Sequence, residues 1–152
     1  MPSIWGIDPG KATGFAYGWF DDVMPFTLFY AEILDQDEAF VRIRERFEYA
    51  SPDNVTVAEG FKLKGGQAFT PDLTGVEIIG AIKYLGLPVV WQWRTDKALV
   101  KDQVLKDHGL WQTGKMVGHT DGRDANDAII HILAYLLKKK HQPTLRKYFT
   151  HD

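Results

Sequence analysis

Four carboxylates stand at positions where a chain has little structural reason to put them. Asp8 ends the apolar run "SIWGID" directly before Pro9-Gly10, and Glu59 ends the alternating run "NVTVAE". Asp124 and Asp127 open the apolar segment "DANDAIIHILAYLL". An acid at the C-terminal end of a central strand sits where an open α/β sheet presents ligand-binding groups. If the two strands are neighbours, Asp8 and Glu59 converge. A spacing of three puts Asp124 and Asp127 on one face of a helix. Four such acids together resist ionising without a counter-charge, and hard divalent cations supply one. Mg²⁺ or Mn²⁺ takes carboxylate and water oxygens, and two such ions about 4 Å apart activate a water and stabilise the leaving oxygen in phosphodiester cleavage. The chain has no cysteine, so a metal site must use oxygen or imidazole.

Each acid also has a plainer role open to it. An Asp before Pro-Gly initiates turns. Asp124 can complete a capping box with Asp121 as N-cap, and first-turn acids suit the helix dipole. Glu59 is harder to dismiss, because a charge closing "VTVA" is poorly placed unless something uses it. The conjunction of all four carries the chemical reading.

The elements that must position these acids follow from pattern. Ser3 to Asp8, Ala12 to Phe20 and Phe26 to Ile33 read as three strands joined by short turns, an antiparallel meander. Ala39, Phe40, Ile43 and Phe47 recur at helical spacing between Asp37 and Ala50. Residues 54–59 are a fourth strand, followed by a basic Gly-containing loop at Lys62 to Gly66 and a helix from Pro71 to Leu85. Pro88 to Trp93 is a fifth strand, then comes a polar helix from Thr95 to Asp107. Strand, helix, strand, helix in this half implies parallel pairing. Gly109 to Gly122 reads as loop, and Arg123 to Lys140 is the clearest helix, apolar at Ala128, Ile129, Ile132, Leu133, Leu136 and Leu137. A basic tail from 141 to 152 is expected to be partly disordered, so the domain proper is expected over residues 1–140.

With 152 residues, 45% of them hydrophobic, one domain can bury a full core. No apolar run approaches the ~20 residues of a membrane span, and no basic-then-apolar leader opens the chain; a cytoplasmic protein is expected. Net charge is −2 overall, but residues 1–60 carry four Lys or Arg against eleven Asp or Glu, net −7, while residues 61–152 carry fourteen against nine, net +5. The basic part suits a polyanion; the plainer reading is solvated surface.

Taken in order, "GIDPGKATGFAYG", "VTVAEGF", "KDQV" and "DANDAIIHILAYLL" resemble the motifs of RuvC-type Holliday-junction resolvases, of the small kind carried by bacteriophages, over nearly the whole chain. The resemblance implies an RNase H-like fold, with a five-stranded mixed sheet of three antiparallel strands followed by two parallel ones, flanked by helices. It implies a homodimer that cuts branched DNA with two Mg²⁺ or Mn²⁺ ions per site, leaving 5′-phosphate and 3′-hydroxyl ends, in a host bacterium's cytoplasm if phage-encoded. Asp8, Glu59, Asp124 and Asp127 match its metal-binding acids, and Gly10, Thr13 and Gly14 its first turn. Lys101 in "KDQV" is the better match to the family's phosphate-facing lysine, with Lys97 beside it in a shortened segment. Phe61 or Phe69 stands for the aromatic that stacks at the junction centre, and Lys62 and Lys64 are candidate DNA contacts. His131, four after Asp127, and His119 lie near the acids, although a buried His more often serves structure. Lys138 to Lys140, His141 and Arg146 either seek phosphate or are solvated. Trp91, Trp93 and Tyr84 are expected in the core.

Two alternatives stay beside this reading. One is an RNase H-like DNA-binding module without catalysis, which would gain nothing from crowded negative charge near phosphates. The other, an actin-like ATPase, needs two such domains, so no nucleotide cofactor is expected. Independently of family, Leu73, Val76, Ile78, Ile79, Ala81, Ile82 and Leu85 spread almost around their helix, and a helix lying only on a sheet needs one apolar stripe. With Gly75 and Gly80 permitting close approach, a twofold partner is the expected second neighbour.

Overall fold

The computed structural model describes residues 2–10, 12–48, 51–60, 74–113 and 123–150. Strands β1 (Ser3–Asp8), β2 (Thr13–Trp19), β3 (Thr27–Leu34), β4 (Val55–Glu59) and β5 (Val90–Gln92) form one sheet in the order β3-β2-β1-β4-β5. The first three pair antiparallel, and β1 with β4 and β4 with β5 pair parallel. This is the expected five-stranded mixed sheet. Helices α1 (Gln36–Glu48), α2 (Thr74–Leu85), α3 (Asp102–Asp107), α4 (Arg123–Lys138) and α5 (Gln142–Tyr148) and a 3₁₀ turn (Arg94–Leu99) complete it.

Side-chain alternation along the strands sets the two faces. Ile4, Ala16 and Val57 join the core built around α4, whereas Ile7, Phe15 and Ala58 join the core under α1 and α2. Period two therefore assigns Asp8 to the face of Ile4 and Gly6, and Glu59 to the face of Val55 and Val57. Ile7 pairs with Ala58 across the parallel ladder, so the two acids end adjacent strands side by side. Helix α4 is buried almost all round from Ala125 to Leu136, because the sheet covers one side and the 3₁₀ turn, α3 and α5 cover others.

That helix lies unusually close to the sheet. A Cβ on Gly6 would stand 2.4 Å from the Ala128 carbonyl oxygen, and one on Gly14 would stand 2.0 Å from that of Asp124. Gly14 is also the register partner of Asp8. One small residue thus sets the first turn of α4 against the end of β1, and a larger one would force the acids apart.

Four expectations change. The helix read from Thr95 to Asp107 is two pieces: Val100 and Lys101 are extended (φ/ψ −127/114 and −79/148). Val100 is drawn into the core beside Leu105, which a continuous helix would prevent. The tail is not loose over Gln142–Tyr148, which form α5: Thr144 and Tyr148 are buried, and the Tyr148 hydroxyl donates to the Phe26 carbonyl at 2.7 Å. Finally, on α2, Ile78, Ile79 and Ile82 are buried within the chain itself, and Gly75 approaches Pro9 instead of a partner. The exposed stripe is Val76, Gly80 and Tyr84, four apart, with Tyr84 90% exposed rather than in the core. Trp93 is likewise exposed and Trp91 half-buried.

Gly14→Ala is expected to destabilise the protein by about 1–3 kcal/mol or more, as over-packing does. Urea denaturation measures it, and an unchanged midpoint would show that α4 yields freely.

Candidate active site

At the C-terminal ends of β1 and β4, Asp8 is 6% exposed and its carboxyl faces that of Glu59. Burial and the neighbouring charges of Glu59 and Asp127 push the Asp8 carboxyl well above its ordinary range, so of the pair it is Asp8 that resists ionising. Burial also works against ionisation of Glu59, but His131, Asp8 and Lys97 beside it outweigh that and hold Glu59 at about 2. Nε2 of His131 lies 3.7 Å from Glu59 Oε2. That is an electrostatic contact, too long for a hydrogen bond, and both ring nitrogens of this fully buried His lack a hydrogen-bond partner among the described residues.

The counter-charge within the chain is Lys97. Its ammonium lies 3.2 Å from Asp127 Oδ2 and 3.7 Å from Glu59 Oε1. Burial alone would lower its pKa, but Asp127, Glu59 and Asp8 outweigh that and raise it above the usual lysine value. Lys101, by contrast, is exposed at the N-cap of α3. The extended break at Val100 and Lys101 separates the two lysines, so the structure puts Lys97, rather than the motif-matched Lys101, against the acids.

Asp127 is held from its own helix as well. Arg123, one turn earlier, reaches Asp127 Oδ1 at 3.0 Å and Asp102 Oδ2 at 2.7 Å, and its guanidinium lies 6.0 Å from the centre of the Trp111 ring. The Arg123 contact to Oδ1 is an ion pair without hydrogen-bond alignment, and that buried oxygen makes no hydrogen bond among the described residues. Arg123 was missed in the sequence, although an Arg four residues before an Asp on a helix is a visible signal. Asp124 opens the same turn, with its backbone against Gly14. On the other flank, Gln92 ends β5 fully buried and donates to the His131 carbonyl at 2.8 Å, fixing α4 to the sheet beside Glu59. Phe61, Lys62, Lys64, Phe69 and His119 lie outside the described residues.

The donor set is all carboxylate oxygen with an under-used oxygen on Asp127, which suits a hard divalent cation. Among the described residues, no three His, Asp or Glu side chains close to metal-holding spacing; like charges hold apart, and Lys97 lies between two of them.

Asp8→Asn removes an acid whose ionisation folding opposes. A raised carboxyl pKa means that stability is complete below the unfolded value near 3.8 and is lost as pH rises through the folded value. The metal-free variant should therefore melt at the same temperature as the parent near pH 3.5 and a few degrees higher at pH 8, by circular dichroism. A lower melting point at pH 8 would assign Asp8 a structural role.

No protein-family model matches the chain, and no curated protein sequence does. Solved structures do match. The chain is similar to Thermus thermophilus RuvC in complex with a Holliday junction substrate, at 15% identity over 94% of this chain and 98% of that one, with a TM-score of 0.61. It is also similar to fowlpox virus resolvase in complex with substrate Holliday junction DNA, at 16% identity over 89% and 99%, with a TM-score of 0.52. At such identities the likeness is one of fold, and the mixed five-stranded sheet with its flanking helices is that of the RNase H-like resolvases.

Proposed function

We propose that the chain is a divalent-metal-dependent endonuclease that hydrolyses phosphodiesters in branched DNA, four-way junctions above all. The observation that carries this reading is the convergence of Asp8, Glu59 and Asp127 from two adjacent strand ends and the first turn of α4, on a fold shared with resolvases. Asp8, Glu59, Asp124 and Asp127 would hold the Mg²⁺ or Mn²⁺. When bound, such ions activate water and stabilise the leaving oxygen. In the reaction a water oxygen bonds to phosphorus, the bond from phosphorus to the 3′ oxygen breaks, and that oxygen leaves as a hydroxyl, giving a 5′-phosphate.

The chain's own residues perform the rest. Asp8 must give up its proton as the site fills, and Glu59 is already ionised at neutral pH. Lys97, half-buried between Glu59 and Asp127, is placed to turn to a scissile phosphate once the acids have another counter-charge, and there to stabilise its developing negative charge. Arg123 keeps Asp127 turned into the site. Lys101, Lys62 and Lys64 remain candidates for contacts to the DNA backbone.

Glu59→Gln and Asp127→Asn are each expected to reduce cleavage by at least about a hundredfold, while affinity for a four-way junction changes little. Gel assays of cleavage and binding with Mg²⁺ and Mn²⁺, run beside fork, flap and linear substrates, check this. Binding without cleavage in the parent chain would favour the non-catalytic module.

A homodimer belongs to the same proposal, since two sites are needed to cut two strands in concert. Its natural seam is the stripe Val76, Gly80 and Tyr84, where among the described residues a Cβ on Gly80 would have no neighbour within 4 Å. Sedimentation at micromolar concentration should give twice the monomer mass, and Gly80→Arg should halve it without unfolding the chain. A parent that sediments as a monomer and still cuts both strands together would refute the dimer.

A further inference from the structure

The face of the sheet away from the acids carries a buried cation that no carboxylate among the described residues pairs. Arg46, in the last turn of α1, is 4% exposed, and its Nε is buried without a hydrogen-bond partner among the described residues. Its guanidinium lies over the Trp5 ring, 5.6 Å from the centre. No carboxylate among the described residues forms an ion pair with it, whereas its helix neighbours Arg42 and Arg44 both have one. An unpaired buried charge is among the more expensive features a fold can keep. Burial lowers the Arg46 pKa, with only Tyr17 acting against it.

Arg46 is not sealed in. It lines an open cavity of about 200 Å³ with Ser3, Trp5, Tyr17, Glu45 and Asn54. From the mouth of that cavity a shelf of aromatic rings runs outward: Trp5 to Tyr17 at 4.6 Å, Tyr17 to Phe29 at 5.8 Å, and Phe29 to Trp19 at 5.3 Å between centres. Phe29, between Tyr17 and Trp19 in this run, is 61% exposed. On the same face Ile7, Phe15 and Ala58 pack under α1 and α2, and Trp5 lies against that cluster. A buried Arg beside Trp and Tyr is the composition of an interface hot spot.

We infer that this cavity is a docking site for one carboxylate side chain of a partner polypeptide, which pairs with Arg46 while flanking apolar side chains of that partner lie on the aromatic shelf and flanking basic ones lie beside Glu45. A guanidinium fork fits a carboxylate in two parallel hydrogen bonds. Charge complementarity selects a polypeptide over a nucleic-acid strand. Glu45 stands in the cavity wall, already paired with Arg42. The first sixty residues, which supply the cavity, are net −7. A run of phosphates would meet that field unfavourably, but a single carboxylate flanked by lysines or arginines matches it. The site lies across the sheet from the acids and does not depend on the proposed cleavage.

The test is a ¹H–¹⁵N titration of the whole chain, following the Arg46 Nε–Hε and Trp5 indole signals. The probes are acetyl-Lys-Phe-Asp-Phe-Lys-amide, the same peptide with Asn for Asp, inorganic phosphate and a short oligo-dT. The Asp peptide should shift both signals saturably and bind about tenfold or more tightly than the Asn peptide, the worth of a hydrogen bond to a charged group. Arg46→Gln should abolish the difference between the peptides; if that variant does not fold, the comparison in the parent chain decides alone. Equal response to the two peptides, no saturable shift, or saturation by phosphate or oligo-dT at lower concentration than by the Asp peptide would each overturn the inference.

Discussion

Helix α4 touches strands β1 and β2 without a Cβ between them, and most of what the molecule can do rests on that contact. Gly6 and Gly14 leave room for the backbone carbonyls of Ala128 and Asp124. Close approach brings the Asp127 carboxylate to the strand ends that carry Asp8 and Glu59, and it buries the middle of the helix deeply enough to seat His131 behind Glu59. A conventional separation of helix and sheet, near 10 Å, would leave these groups too far apart to influence one another.

Bringing them together creates an electrostatic problem, which the chain solves with three devices. One carboxyl of the strand pair is held by burial against ionising, one lysine stands between two acids, and one arginine holds the acid on its own helix. Under the metal-dependent reading proposed above, bound cations would take over the work of all three.

Much of this was legible in the sequence because it depends on local rules. Strand β1 could be read to the residue, since alternation ends on Asp8 and Pro-Gly follows, and the meander and the parallel second half followed from turn chemistry and connection length. The acids stood out as charges closing apolar runs. Tertiary packing was not legible. Nothing local distinguishes Lys97 from Lys101; burial of Val100 decides which one faces the acids. Ile79 and Ile82 looked spare for a partner because periodicity cannot reveal that α1 packs beside α2. Arg46 stands on a helix dense in arginine and glutamate, where nothing in the pattern marks it out, and only the fold shows that it turns inward over Trp5.

The anchoring of α5 has a consequence for how the molecule is made. Phe26 is buried at the entrance to β3, where its amide donates to Thr144 Oγ1 at 3.0 Å and its carbonyl accepts from Tyr148. Nε2 of His141 donates to the Asp21 carbonyl in the same hairpin. Both backbone polar groups of Phe26 are thus satisfied by residues more than a hundred positions later. At a synthesis rate of about 5–20 residues per second, the hairpin waits on the order of ten seconds on the ribosome for the groups that close it. Over that interval the edge of the sheet has no finished end, and the nascent chain is most open to chaperones and to pairing with its neighbours on the same message.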